Sequence, residues 1–300
     1  MIGPWLLLDC HYLAWRSYHT TGVLSYGDIQ TGVLFGFFKQ LITLKLQFTT
    51  DKVAFCFEAG ESKRKLLFPG YKHHRHSKPM TEEEAMLIGA FHHQIRLLRE
   101  EYLPRIGFVN VFAERGYESD DIIASITKTL PCEEEAVIIS SDRDFFQLLR
   151  GNVSMYDPKQ RKMNTLQSFR QETGLVPPQW AKVLAIAGCK TDEVPGIPRI
   201  GKKTAIKYLT DRLKPNSSAF SLIKQGWDGV VLRNKPLVLL PFAKTPKYVL
   251  APDHISEQGW GEVCAELGLR TLRNSIPLLS RLRSPHEPIP KYRPQLVPRA

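Results

Sequence analysis

No two cysteines of this sequence stand close together. Cys10, Cys56, Cys132, Cys189 and Cys264 are scattered, odd in number and without a C-x-x-C pair. That argues against a disulfide framework and for a reducing, cytoplasmic compartment. Long apolar runs are also missing. "WLLLDC" near the start is too short for a signal sequence and ends in an acid, and no run approaches the ~20 residues of a membrane span. Internal repeats are absent, and negative charge is scarce: 30 Asp and Glu face 41 Lys and Arg, a formal net charge of +11 over 300 residues. An apolar share of 43% suits a real core, in one large domain or one with a small satellite. The basic excess points to a polyanionic partner, nucleic acid before anionic membrane, although it also serves solubility.

Four short apolar runs read as buried strands: "WLLLD" (5–9), "KVAFCFE" (52–58), "FVNVFAE" (108–114) and "AVIISSD" (136–142). Helix-like segments such as 32–48 and 81–103 lie between them, the second opening on a Thr81/Glu84 capping box. The alternation predicts βαβ units and an α/β fold with a mostly parallel central sheet flanked by helices, whose sites form at the carboxyl ends of strands. The dense basic stretch 63–79 reads as an exposed segment leading into the second helix. Beyond residue 175 the pattern turns helical, and 284–300 carries five prolines, as an extended basic tail would.

The scarce acids are not spread evenly. "GYESDDIIASI" places Glu118, Asp120 and Asp121 at the start of an apolar helix, where acids also complement the helix dipole. "ISSDRDFFQLL" brings Asp142 and Asp144 just past a strand, where a turn also favours aspartate. Asp9 and Glu58 end two more strands, and Asp192 and Glu193 sit in the loop "GCKTDEVPG". Acids from five segments at one sheet edge form a carboxylate-rich oxygen donor set, which suits Mg²⁺ or Mn²⁺ rather than Zn²⁺. In a basic chain that donor set suggests phosphoryl-transfer chemistry on nucleic acid, with two cations serving the attacking and the leaving oxygen.

"GIPRIGKKT" (196–204) nearly matches a nucleotide-binding phosphate loop, but Lys203 stands where the hydroxyl belongs and no clear strand precedes it. Gly196 and Gly201 instead allow a tight hairpin between helices. The N-terminus of the second helix, with Lys202, Lys203 and Thr204, then suits a DNA backbone phosphate. A plain helical packing unit with surface lysines is the other reading.

Together these motifs resemble the 5′-nuclease family: the 5′–3′ exonuclease domain of bacterial DNA polymerase I, phage 5′-exonucleases and flap endonucleases. The resemblance runs from about residue 5 to 210, through "LLLDCHYLAWR", "FCFEAGESKRKLLFPGYKHHR", "GYESDDIIAS", "SSDRDFFQLL" and "GCKTDEVPGIPRIGKKTA". It implies a PIN-like nuclease domain over 1–175 with a basic helical arch at about 63–103, and a helix–hairpin–helix domain over 176–270. It implies that Asp9, Glu118 and Asp120 form the first metal group with Asp142, that Asp121 and Asp144 belong to the same carboxylate cluster, and that Asp192 belongs with a second metal. Glu58 stands at a further acidic position of the set. Arg64, Tyr71, Lys72 and Arg75 match the arch that meets the scissile phosphate and the 5′ strand, and the 194–204 hairpin implies a K⁺ held by backbone carbonyls. The implied partner is DNA with 5′ ends, flaps or branches, met by a monomer. A DNA polymerase partner and a phage origin both fit the family.

Three positions depart from the pattern. Glu58 replaces an aspartate, Glu193 an asparagine, and Cys189 the first aspartate of the loop. A thiol is a poor Mg²⁺ ligand, which weakens the second metal site. A catalytically weakened protein that binds branched DNA is therefore a competing reading. A toxin-type ribonuclease with a similar sheet would explain the acids but not the helix–hairpin–helix.

Overall fold

The structure, a computed structural model, describes residues 3–74 and 81–275. Arg75, the rest of 75–80 and the proline-rich 284–300 lie outside the described residues. Six strands form one sheet in the spatial order Val111–Arg115, Val53–Ala59, Trp5–Asp9, Ala136–Ile139, Val153–Asp157, Lys162–Asn164. The first five run parallel, and the sixth returns antiparallel along one edge. The expected α/β architecture is present.

Alternation along the central strands sends side chains to both faces. Trp5 and Leu7 enter one buried cluster, Leu6 and Leu8 the other. Such two-sided burial is why these strands read as continuous apolar runs. One face is covered by the helices Cys10–Thr21, Gly32–Phe48 and Glu82–Leu97. The other is covered by Ser119–Thr129, through Ile122, Ile123 and Ile126, and by the later helices Trp180–Ala187, Lys202–Leu209, Ser218–Gln225 and Leu232–Val238. The chain then crosses back. The helix Glu257–Glu266 buries Trp260, Val263 and Cys264 on the first face, with Trp260 edge-on to Phe38 at 5.3 Å.

The strand order places the site. From the central Trp5–Asp9 strand the chain builds outward to one side, then returns to add Ala136–Ile139 on the other. The reversal opens a crevice beyond the carboxyl ends of these two strands. Asp9 ends the first, and Asp142 follows the second by three residues.

Two expected elements differ in extent. The strand expected at 108–114 is Val111–Arg115: Phe108 is buried in the core, and Asn110 O still accepts from Phe55 N just before the strand begins. The Asn110 side chain donates to Ala251 O at 2.7 Å and accepts from Ala251 N at 2.9 Å, pinning the returning chain. The helix expected at 81–103 has its Thr81/Glu84 capping box, but it runs regularly only to Leu97. A wide turn over Leu98–Tyr102 then leads into Leu103–Ile106. Pro104 has no N–H to continue the helical ladder, so the extra residue appears just before it.

Gly107 ends this helix at φ 101°, and a Cβ there would lie 1.9 Å from His254 O. The close approach is part of the join: His254 N donates to Gly107 O, and Ser256 N to Ile106 O, both at 2.8 Å. Gly107→Ala combines a disfavoured backbone with a backbone clash. It should lower the unfolding free energy by about 2–4 kcal/mol, measured by urea denaturation, with loosening of the Trp260 packing visible in its fluorescence.

Candidate metal and phosphate site

The crevice is built from strand ends and helix starts. Asp9 is both the last residue of its strand and the N-cap of Cys10–Thr21, accepting from Tyr12 N at 3.2 Å. Its other oxygen accepts from Ser140 Oγ at 2.9 Å, and Ser119 Oγ lies 3.4 Å from the first. Ser140 also accepts from Asp142 N at 3.1 Å, so one hydroxyl joins two acids across the strand gap. Asp142 in turn caps the 3₁₀ turn Arg143–Leu148 by accepting from Asp144 N at 2.8 Å. Neither serine is singled out by the motifs. The small polar residue two positions before Asp142 is the sequence signal, because that spacing lets a hydroxyl accept from a turn N–H.

The acids crowd one another. Burial, then Glu58 and Asp142, push the Asp9 carboxyl up to about 7 against the pull of its hydrogen bonds. Burial and the nearness of Asp9 and Asp142 push Asp120 well above the carboxylate range. Burial, Asp142 and Asp192 push Asp144 up to about 8. Such a set resists full ionisation unless a cation lies among the oxygens. Beside it, Asp144, Cys189 and Asp192 bring ligand atoms within 4.8 Å of one another. The Cys189 thiol donates to Asp192 Oδ2 at 3.3 Å, and burial, with Asp144 and Asp192, pushes it up to about 12. The oxygen donors fit a hard divalent cation, while the thiol makes the second group softer.

Two lysines face this negative charge. Lys72 Nζ lies 2.8 Å from Glu118 Oε1 and 3.6 Å from Asp192 Oδ1, bridging the two groups. Burial works against Glu118, but Lys72 and Arg64 hold its carboxyl below the usual range. Lys202, at the start of its helix, bears on both Asp142 and Asp144 and sits 5.8 Å from the Trp180 ring.

Three sequence assignments need correction. Asp121 does not join the carboxylate cluster: it is fully buried, and both its oxygens bind Arg64, at 2.6 and 2.8 Å. It also accepts from Glu118 N and Phe242 N. Arg64 is 2% exposed, with its remaining donors turned to Glu118 and to the carbonyls of Leu237 and Leu239, so it offers no free edge to a phosphate. Tyr71 is buried too, its hydroxyl donating to Glu118 Oε2 at 3.0 Å. The stretch from residue 63 is therefore not exposed throughout: its root is drawn inward by the buried acids of the Ser119–Thr129 helix. Glu58 lies near enough to raise Asp9, and its backbone N–H donates to His11 Nδ1.

The turn at 196–201 follows a short antiparallel pair, Gly188–Cys189 with Val194–Pro195. A Cβ on Gly196 would meet Ala187 C at 2.2 Å, so that glycine serves close backbone packing. Gly201 caps the Lys202–Leu209 helix with nothing within 4 Å of where its Cβ would be. Its missing side chain leaves the helix N-terminus open beside Lys202, Lys203 and Thr204, of which both lysines are exposed.

The strain among the acids is measurable. A carboxyl whose folded pKa is raised favours the folded state below its unfolded pKa, and that advantage is lost as pH rises through the folded value. For Asp9 and Asp144 the window runs from the ordinary carboxyl value of 3.8 up to about 7 and about 8. In EDTA, Asp144→Asn should match the wild type near the bottom of that window and exceed it at the top by on the order of 1–3 kcal/mol. Mn²⁺ should raise the wild-type Tm more than that of the variant. Thermal melts across pH, with and without Mn²⁺, check both.

Residues 4–174 match the family profile described as 5′-3′ exonuclease, N-terminal resolvase-like domain. The chain is 31% identical over 242 residues to a 5′-3′ exonuclease of Bacillus subtilis, covering 75% of this chain and 77% of that one. It is 32% identical over 216 residues to DNA polymerase I of Mycobacterium leprae, covering 69% of this chain and 22% of the polymerase, so it spans about a fifth of that relative's length. Among solved structures, T5 5′-exonuclease with bound zinc ions superposes with a TM-score of 0.68 at 21% identity, over 91% of this chain and 97% of that one. Its fold is the one described above.

Proposed function

The chain belongs to the 5′-3′ exonuclease family, and from that premise we propose that it is a divalent-metal-dependent 5′-nuclease, hydrolysing phosphodiesters of DNA at 5′ ends, flaps or branches. The observation that carries this is the convergence of Asp9, Asp120 and Asp142 on the crevice at the strand reversal, with Asp144, Cys189 and Asp192 beside them. Asp9, Asp120 and Asp142, helped by Glu118 and Glu58, would hold a first cation, Mg²⁺ or Mn²⁺, and Asp144 and Asp192 a second. Bound there, the cations would supply Lewis acidity toward the scissile phosphate and lower the pKa of the attacking water.

The protein's own groups do the rest. Lys72, poised between Glu118 and Asp192, exchanges a carboxylate partner for the phosphate and offsets its developing charge. Lys202 faces the same crevice, whereas Lys203 and Thr204 grip the DNA backbone at the open helix end without reading bases. Arg75 belongs to the same phosphate-contacting role from the sequence pattern alone. The K⁺ implied at the 194–204 turn, and a polymerase as working partner, belong to this proposal too.

Labelled 5′-flap DNA incubated with Mg²⁺, Mn²⁺ or EDTA tests the reading. Cleavage should need the cation, and Asp120→Asn or Asp142→Asn should slow it by about 10²–10³-fold. Their DNA affinity should stay level or rise, because a charge that repels phosphate is gone. Wild-type turnover in either variant would remove these acids from the site.

Binding without cleavage is the second reading, and Cys189 is what favours it. If the thiol weakens the second cation, activity should prefer Mn²⁺, and Cys189→Asp should lower the cation concentration for half-maximal cleavage by about 10-fold or more. An unshifted titration would mean that Cys189 packs in its loop and takes no part. Failure of the wild type to cut in either metal, with flap binding retained, would establish the second reading.

A further inference from the structure

Lys72 and Glu193 are both non-glycine residues in the left-handed region, at φ 53° and 55°. They sit on separate segments that meet face to face. Lys72 N donates to Asp192 O at 3.0 Å. Two residues on, His74 N donates to Glu193 Oε2 at 2.6 Å, and His74 Nδ1 lies 2.9 Å from the same oxygen. The Lys72 side chain crosses the same junction to Asp192. Backbone strain on both sides of one contact persists only where the contact over-determines it. The 2.6 Å bond to a carboxylate is of the short, charge-assisted kind.

Resting on the nuclease function proposed above, we infer that Glu193 is a positioning residue: its carboxylate clasps the 72–74 turn to the 188–195 loop and so holds Lys72 Nζ between Glu118 and Asp192. Its carboxylate points to His74 rather than into the group formed by Asp144, Cys189 and Asp192, so it does not replace the oxygen that Cys189 lacks. An asparagine at this position would tolerate the left-handed backbone better but would reach one methylene less far and carry no charge. Glutamate thus gives up backbone comfort for reach. The clasp fixes the lysine that bridges Glu118 and Asp192, and through it the geometry at the phosphate.

The first arm of the test does not depend on cleavage. Hydrogen exchange on a peptide containing Lys72, His73 and His74 should rise by about 10-fold or more in Glu193→Ala. Glu193→Gly, which removes the strain together with the carboxylate, should give the same rise. Glu193→Gln, whose amide oxygen still accepts from His74 N–H, should stay near the wild type. In the second arm, single-turnover cleavage of flap DNA should fall by about 10-fold or more in the Ala and Gly variants and recover in Gln. DNA Kd and the Mn²⁺ half-saturation should not move. Unchanged exchange in Glu193→Ala and Glu193→Gly would overturn the clasp, as would a Gln variant no better than Ala. A shifted Mn²⁺ titration would make Glu193 a metal ligand instead. If the wild type does not cut DNA, the nuclease reading falls, and the exchange arm alone still decides whether the clasp exists.

Discussion

The buried pair of Arg64 and Asp121 is the contact on which the site depends. Both guanidinium ends meet both carboxylate oxygens, at a position where water reaches neither group. Arg64 also donates to Leu237 O and Leu239 O, and Asp121 accepts from Phe242 N. Three segments far apart in sequence therefore meet at one pair of charges: the short helix Arg64–Leu67, the start of the Ser119–Thr129 helix and the returning chain near 237–242. Removing one member of such a pair leaves the other charge buried and uncompensated, a loss of about 3–5 kcal/mol. The pair does no chemistry of its own. It fixes the helix whose first turn carries Glu118 and Asp120, and it fixes the turn that carries Lys72.

The next layer is electrostatic balance. Asp9, Asp120 and Asp144 are all pushed toward protonation, while Glu118, with Lys72 and Arg64 beside it, is held ionised. Carboxylates in one crevice thus divide into two roles by their neighbours. Those that have no cationic side chain in direct contact among the described residues are the ones that favour a bound cation. The one with partners anchors the lysine that faces the others. A chain with a formal net charge of +11 still keeps a concentrated negative crevice, because its basic residues lie mainly outside it.

Much of this was legible in the residues. Apolar runs ending in acids located the central strands, and with them Asp9 and Asp142, because two-sided burial and strand-end chemistry are local properties. The capping box at Thr81 and the helix over 32–48 were legible for the same reason. The fates of Arg64, Tyr71 and Asp121 were not. A motif gives residue types at fixed spacing, but whether an arginine faces solvent or a buried aspartate depends on what packs over it. Here that cover comes from residues about 175 positions later. For Ser140 the spacing to Asp142 hints at a turn hydroxyl, but its bond to Asp9 on another strand shows only in three dimensions. The helix Glu257–Glu266 was expected with the later helical region, and its return to the opposite face rests on bonds to Gly107 and Asn110 that no local pattern announces.

That return has a consequence for how the protein comes off the ribosome. Phe38 and its neighbours on the Gly32–Phe48 helix are laid down early, yet the partner that closes over them is Trp260, more than two hundred residues later. At about 5–20 residues per second, translation leaves that aromatic surface without its final cover for roughly 10–40 seconds. During this interval the nascent chain presents apolar surface while its acid-lined crevice is still incomplete. A holding chaperone would find its target on that early helix, and the crevice would be assembled only after the late segments have docked on both faces.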